Sequence, residues 1–152
     1  MQRASSSVVG ILIVLSLTVL SAATVGLVIS TPPAEPPPTA SIDAAVDADT
    51  NRIQLTHRGG ETLNVTEISV EITVDGTQLS EQPPVPFFAT PGFESGPTGP
   101  FNVASPNRWH AGETTSLTIA STNDPEVAPG DSVRIRIIGK RGTIQELSET
   151  AR

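Results

Sequence analysis

The sequence predicts a mainly β protein, in which one hydrophobic N-terminal α-helix precedes an antiparallel β-sandwich of immunoglobulin-like architecture. Three observations carry that reading. No charged residue falls between Ala4 and Ala34, and the apolar run inside this stretch is hydrophobic all round instead of on one stripe. Five prolines then occupy the nine positions TPPAEPPPT at residues 31–39, which stops any helix. Beyond them apolar residues recur at every second position, the period of strands with one buried face. At 152 residues and 15.8 kDa the chain has room for one folded domain after the helix.

The helix comes first in the chain. Residues 8–29 read VVGILIVLSLTVLSAATVGLVI, with only Ser16, Thr18, Ser21 and Thr24 polar. At a rise of about 1.5 Å per residue such a run makes a helix of roughly 33 Å, enough to cross a hydrocarbon core. The only side-chain charge before it is Arg3, so the positive-inside rule leaves the N-terminus in the cytoplasm and exports everything after Ser30. A soluble domain this small could not bury a helix that is apolar on every side. Three fates stay open for the segment. It is a secretory signal cut near Ser21-Ala22-Ala23, a permanent single-pass membrane anchor, or a class III signal peptide whose leader is cut ahead of the apolar stretch. Length speaks against the first, since a secretory apolar region runs about 7–15 residues and this one continues past Ala23.

The proline-rich piece reads as a stiff, extended stalk. After it, residues 41–48 and 52–57 alternate in polarity around Asp49-Thr50-Asn51, the pattern of a hairpin. Residues 67–74 form the clearest strand, with Ile68, Val70, Ile72 and Val74 on one face. Asp75-Gly76 then supplies a tight turn. Further strands are expected over residues 115–120, around Val133, Ile135 and Ile137, and over residues 143–147 after Gly139-Lys140-Arg141-Gly142. Between Glu81 and Asn107 the chain is irregular, rich in Pro and Gly, and holds all four phenylalanines, Phe87, Phe88, Phe93 and Phe101. Loops of that length inside a compact domain are uncommon and often functional. The aromatics either fold back to cap the core or form a contact surface for a partner or neighbouring subunit.

Chemistry is sparse. Cysteine is absent, which excludes disulfides, thiolate nucleophiles and Cys-based metal sites, and two histidines do not make a metal cage. Asp47-Ala48-Asp49-Thr50-Asn51 imitates the start of a calcium loop, but Arg52 and Arg58 stand where glycine and a carboxylate are needed, so the segment reads as a hairpin turn. His57, beside Gly59-Gly60, and His110, before Ala111-Gly112-Glu113, read as turn residues. Gly92-Phe93-Glu94-Ser95-Gly96 has its serine misplaced for a nucleophile elbow, and no phosphate-binding loop occurs. The expectation is a protein that is not an enzyme and uses no cofactor or catalytic metal. Asn64-Val65-Thr66 is the only Asn-x-Ser/Thr sequon, so an exported chain could carry an N-glycan on Asn64.

The charge balance points the same way. Sixteen acidic residues oppose nine basic ones, of which only Lys140 is lysine, giving a net charge of -7. That excludes the clustered cations a nucleic-acid binder needs. It is the direction taken by halophilic extracellular domains, whose hydrated carboxylates keep them soluble in concentrated salt.

The opening Arg3-Ala4-Ser5-Ser6-Ser7-Val8-Val9-Gly10-Ile11-Leu12 resembles the start of haloarchaeal type IV pilins (the archaeal pilin N-terminal domain family), whose leaders read Arg-Ala-Val-Ser-Pro-Val-Val/Ile-Gly before turning apolar. Ile53-Gln54-Leu55-Thr56-His57-Arg58-Gly59-Gly60-Glu61 resembles that family's first hairpin, Leu-x-Ile-Thr-His-x-Gly-Gly-Asp. Trp109 with Ala111-Gly112-Glu113, and Pro129-Gly130-Asp131, follow its pattern more loosely. Ser5 and Ser7 depart from it, standing where the family has a hydrophobic residue and a proline. The resemblance implies a leader of residues 1–4, cut by a prepilin peptidase that recognises Arg3 and Ala4 and leaves Ser5 as the new N-terminus. It further implies a transmembrane and filament-core helix over 5–30, the stalk over 31–40 and an extracellular β-sandwich over 41–152. Its partners would be the membrane, the prepilin peptidase and other pilin subunits, in a cell-surface filament that supports adhesion. Gly10, Ser16, Ser21, Ala22, Ala23 and Gly26 would let helices approach closely in the filament core. The rival expectation is a single-pass anchored immunoglobulin-like binding domain that does not polymerise.

Overall fold

A computed structural model describes residues 5–29 and 35–152, with side chains over 6–22 and 35–152. The chain divides into two compact units, Met1–Glu35 and Pro36–Arg152. In the first, helix α1 runs Ser5–Ile29 without a proline or a charge to interrupt it. Its hydroxyls bond back to the helix: Ser16 Oγ donates to the Leu12 carbonyl at 2.7 Å, Thr18 Oγ1 to that of Val14 at 2.7 Å, and Ser21 Oγ to that of Leu17 at 2.8 Å. The large apolar side chains from Val8 to Leu20 are all 52–66% exposed. Here the structure departs from the expected span, because among the described residues no helix is long and apolar enough to cross a membrane. Arg3, Ala4 and stalk residues 31–34 lie outside the described residues, as do the side chains of Ser5 and Ala23 and the surroundings of Gly26.

The second unit is mainly β. Strands β1 (Ala40–Asp47) and β2 (Arg52–Gly60) form the expected hairpin. Its turn closes as Asp47 Oδ1 accepts from the Thr50 N–H at 3.1 Å, so the calcium-loop imitation is a turn. A short β3 (Leu63–Asn64) and a 3₁₀ turn, Val65–Glu67, lead into β4 (Ile68–Val74). Asp75 and Gly76 both adopt positive φ to reverse the chain into β5 (Thr77–Gln78). The chain continues through the long loop to β6 (Arg108–Trp109), β7 (Thr114–Thr118), β8 (Ser132–Gly139) and β9 (Gly142–Thr150).

Two larger antiparallel sheets result, ordered β1-β2-β7 and β5-β4-β8-β9, and β3 pairs with β6 apart from them. Loop residues 93–98 run beside β7 through bridges from Phe93 to Ile119 and from Thr98 to Ser116, extending the first sheet. Alternation places Ile42, Val46, Ile53, Leu55 and Leu117 of the first sheet in one buried cluster with Val70, Ile72, Val74, Val133, Ile135 and Ile137 of the second. No ladder joins β1 to β9. Instead the Gln145 side-chain amide accepts from the Ile42 N–H at 2.6 Å and donates to its carbonyl at 2.9 Å. The backbone N–H of Arg152 donates to the Val46 carbonyl at 3.1 Å, and its carbonyl accepts from Ala48 at 2.8 Å. Outside the second sheet, Glu71, Arg136, Glu146 and Arg134 form a cross-strand row of ion pairs at 3.1–3.5 Å. At that exposure each contributes less than about 1 kcal/mol.

Candidate functional site

Among the described residues no three His, Asp or Glu side chains come together to hold a cation. The features open to function are surfaces and the junction where the chain enters the β unit.

At that junction the His-x-Gly-Gly motif has a mechanical role. The register of β1 on β2 jumps from Ser41 opposite Gly59 to Ile42 opposite His57, which leaves Arg58 as a bulge. Arg58 turns outward and its Nε donates to Asp43 Oδ2 at 2.6 Å. Gly60 has φ +99°, and a Cβ there would stand 2.4 Å from the Thr39 carbonyl oxygen. The neighbouring Glu61 N–H donates to that same carbonyl at 2.8 Å, and Glu61 Oε2 accepts from the Thr39 N–H at 3.1 Å. Pro37 and Pro38 are half-buried here, so the last proline-rich residues belong to the β unit. Gly60→Ala is expected to destabilise the unit by about 2–4 kcal/mol, combining backbone strain with the displaced Thr39. Gly59→Ala, with nothing within 4 Å of its Cβ, should change stability by less than about 1 kcal/mol. Denaturant unfolding followed by Trp109 fluorescence measures both.

His57 corrects the sequence reading, which took it as a turn residue. It lies in β2 and is 0% exposed, because inward alternation continues from Ile53 and Leu55 for one more step. That continuing period was the signal that identifies it. Its Nε2–H donates to the Glu61 carbonyl at 2.9 Å, and its Nδ1 is buried without a partner. The ring meets Trp109 edge-on, with centroids 5.7 Å apart. Phe101 meets Trp109 in the same manner at 5.4 Å, and Trp109 Nε1–H donates to the Glu113 carbonyl at 3.1 Å. His110 is an exposed turn residue, held where its N–H donates to Glu113 Oε2 at 2.7 Å.

In the long loop the four phenylalanines divide. Phe87, Phe93 and Phe101 are buried and cap the core, while Phe88 is 60% exposed. Backbone bonds from Glu94 to Thr118 and from Thr98 to Ser116 fasten the loop to β7. Buried Asn123 ties its start: Oδ1 accepts from the Glu81 N–H at 3.0 Å, and Nδ2 donates to the carbonyls of Glu81 at 3.0 Å and Gly92 at 3.1 Å. No local pattern marks Asn123 or Gln145 in the sequence, since each acts on a segment far away in the chain.

Asn64 is exposed, and its Oδ1 accepts from both the Thr66 N–H at 3.1 Å and the Thr66 hydroxyl at 2.8 Å. On α1, successive residues are about 100° apart, which puts Gly10 and Ser21 within about 20° of each other, and Ser16 and Ala22 on either side at more than about 90° from them. The described small residues therefore surround the helix and do not form one stripe. No family model matches the chain, and no curated protein matches it.

Proposed function

We propose that the chain is a pilin-like subunit of a type IV pilus-type surface filament that supports adhesion, and not an enzyme. The observation that carries the reading is α1, with apolar side chains exposed all round and hydroxyls returned to its own carbonyls. A surface of that kind needs an apolar cover that the chain does not itself supply. Before assembly the cover is lipid around the apolar helix, with the β unit outside the cell. In the filament it is a core of like helices, so the apolar surface is never wetted. Small residues on several sides of α1 suit contact with several neighbours better than a single two-helix pair.

Two further observations agree. The pairing of β1 with β2, β2 with β7, β4 with β8 and β8 with β9 supports an immunoglobulin-like sandwich. The resemblance of the opening residues to haloarchaeal type IV pilins favours a cut after Ala4, with Arg3 and Ala4 read by a prepilin peptidase. Exposed Asn64 is a glycan acceptor in this reading, seen as a mass increment that Asn64→Gln removes. Arg3→Ala is expected to block maturation and leave a slower-migrating membrane form on gels of cell fractions. A chain that matures normally after this change would be an anchored binding domain or a secreted one instead.

A further inference from the structure

In the β unit only two large hydrophobic side chains are exposed, Phe88 at 60% and Val103 at 55%. They are neighbours. Phe87 bridges Asn102 in parallel, its N–H donating to the Phe101 carbonyl and its own carbonyl accepting from Val103, so Phe88 and Val103 each directly follow a residue of that bridge. Phe87 points into the core, and strand alternation turns Phe88 outward. Ala89 and Ala104 beside them are exposed as well. The surrounding chain is free of charge, since between Gln82 and Asn107 the only ionisable side chain is Glu94.

We infer that this patch is a contact between two copies of the chain, each placing Phe88 and Val103 against the same pair on its neighbour. Three arguments select that occupant. The residues after Ser30 carry 16 acids against 8 bases, so two copies repel each other except where a surface is uncharged. Phe88 and Val103 are also the only large apolar side chains exposed on the β unit, so what a second unit offers them is its own patch, which makes the contact isologous. Finally, two side chains with small neighbours bury far less than the roughly 1,200 Å² of a stable free-standing interface. Such a contact needs partners already held side by side, and tethering by α1 in one membrane supplies an effective concentration of about millimolar. An isologous contact closes on itself and does not propagate, so it pairs copies in the stored form and not along a filament. The inference rests on the membrane-held reading of α1.

The absence of cysteine makes the test direct, because any introduced thiol is the only one in the chain. The full-length chain would carry Ala104→Cys, or Ser69→Cys on the outer face of the second sheet as a control. Membranes are then oxidised and read for disulfide-linked dimer on non-reducing gels. Ala104→Cys is expected to give dimer well above the control, and adding Phe88→Ser should cut the yield about tenfold with Trp109 emission unchanged. A yield no greater than that of Ser69→Cys, or one indifferent to Phe88→Ser, overturns the contact. The N-terminal residue of the same membrane protein is read in parallel. A chain beginning at Ser5 without the cross-link removes the patch alone, whereas cross-linked chain beginning at Met1 removes the pilin reading alone.

Discussion

Truncating Trp109 to alanine is expected to lower the stability of the β unit by about 3–5 kcal/mol, the range for deleting a fully buried large aromatic. Trp109 is 0% exposed, and four groups lose a partner with it: the rings of His57 and Phe101, the Glu113 carbonyl, and Leu63 opposite it across the β3–β6 pair. The cavity would open beside His57, whose Nδ1 already has no partner. Relaxation around the site is restricted because Glu113 also accepts from the His57 N–H at 3.0 Å, which fixes the turn to β2. Circular dichroism against denaturant measures the effect, since the variant lacks the only tryptophan. Phe88→Ala, on the exposed side of the long loop, should stay within about 0.5 kcal/mol. A loss below about 1 kcal/mol for Trp109→Ala would contradict the core assigned here.

Leu15→Lys is expected to eliminate both the membrane pool and the filaments. Leu15 sits near the middle of α1, 56% exposed, with Ile11, Leu12 and Val19 one turn away on its side of the helix. A lysine carried into hydrocarbon at the centre of an apolar helix costs about 2.5–3.5 kcal/mol. In a core of packed helices the ammonium meets further apolar side chains and would be buried unpaired. Leu15→Met conserves volume and polarity and should leave both fractions intact. Cell fractionation followed by shearing measures the outcome. Filaments persisting in the lysine variant would show that α1 is not their core.

Strands β1, β2, β4 and β8 were legible because each buries residues on one face, and alternation of polarity is the direct signature of that condition. The turns at Asp47 to Arg52 and at Asp75-Gly76 were legible because positive φ selects a short list of residues. His57 was misread because a histidine near two glycines resembles a turn, yet the bulge at Arg58 lets β2 continue to Gly60. The division of the phenylalanines could not be read locally. Whether Phe87 or Phe88 faces inward depends on the parallel bridge to Asn102, a contact between distant stretches of an irregular loop. The same holds for Gln145, whose amide closes the seam to Ile42 across 103 residues of sequence. The scatter of small residues around α1 follows from their spacing alone, but what surrounds the helix is a property of its neighbours.

The central claim is that a short leader is removed and the hydrophobic helix is kept. The most direct measurement is the intact mass and N-terminal residue of the mature protein, taken from membrane and sheared-surface fractions. The account predicts a chain beginning at Ser5 in both fractions. A chain beginning at Met1 in the membrane, or near Thr24 in the medium, would contradict it.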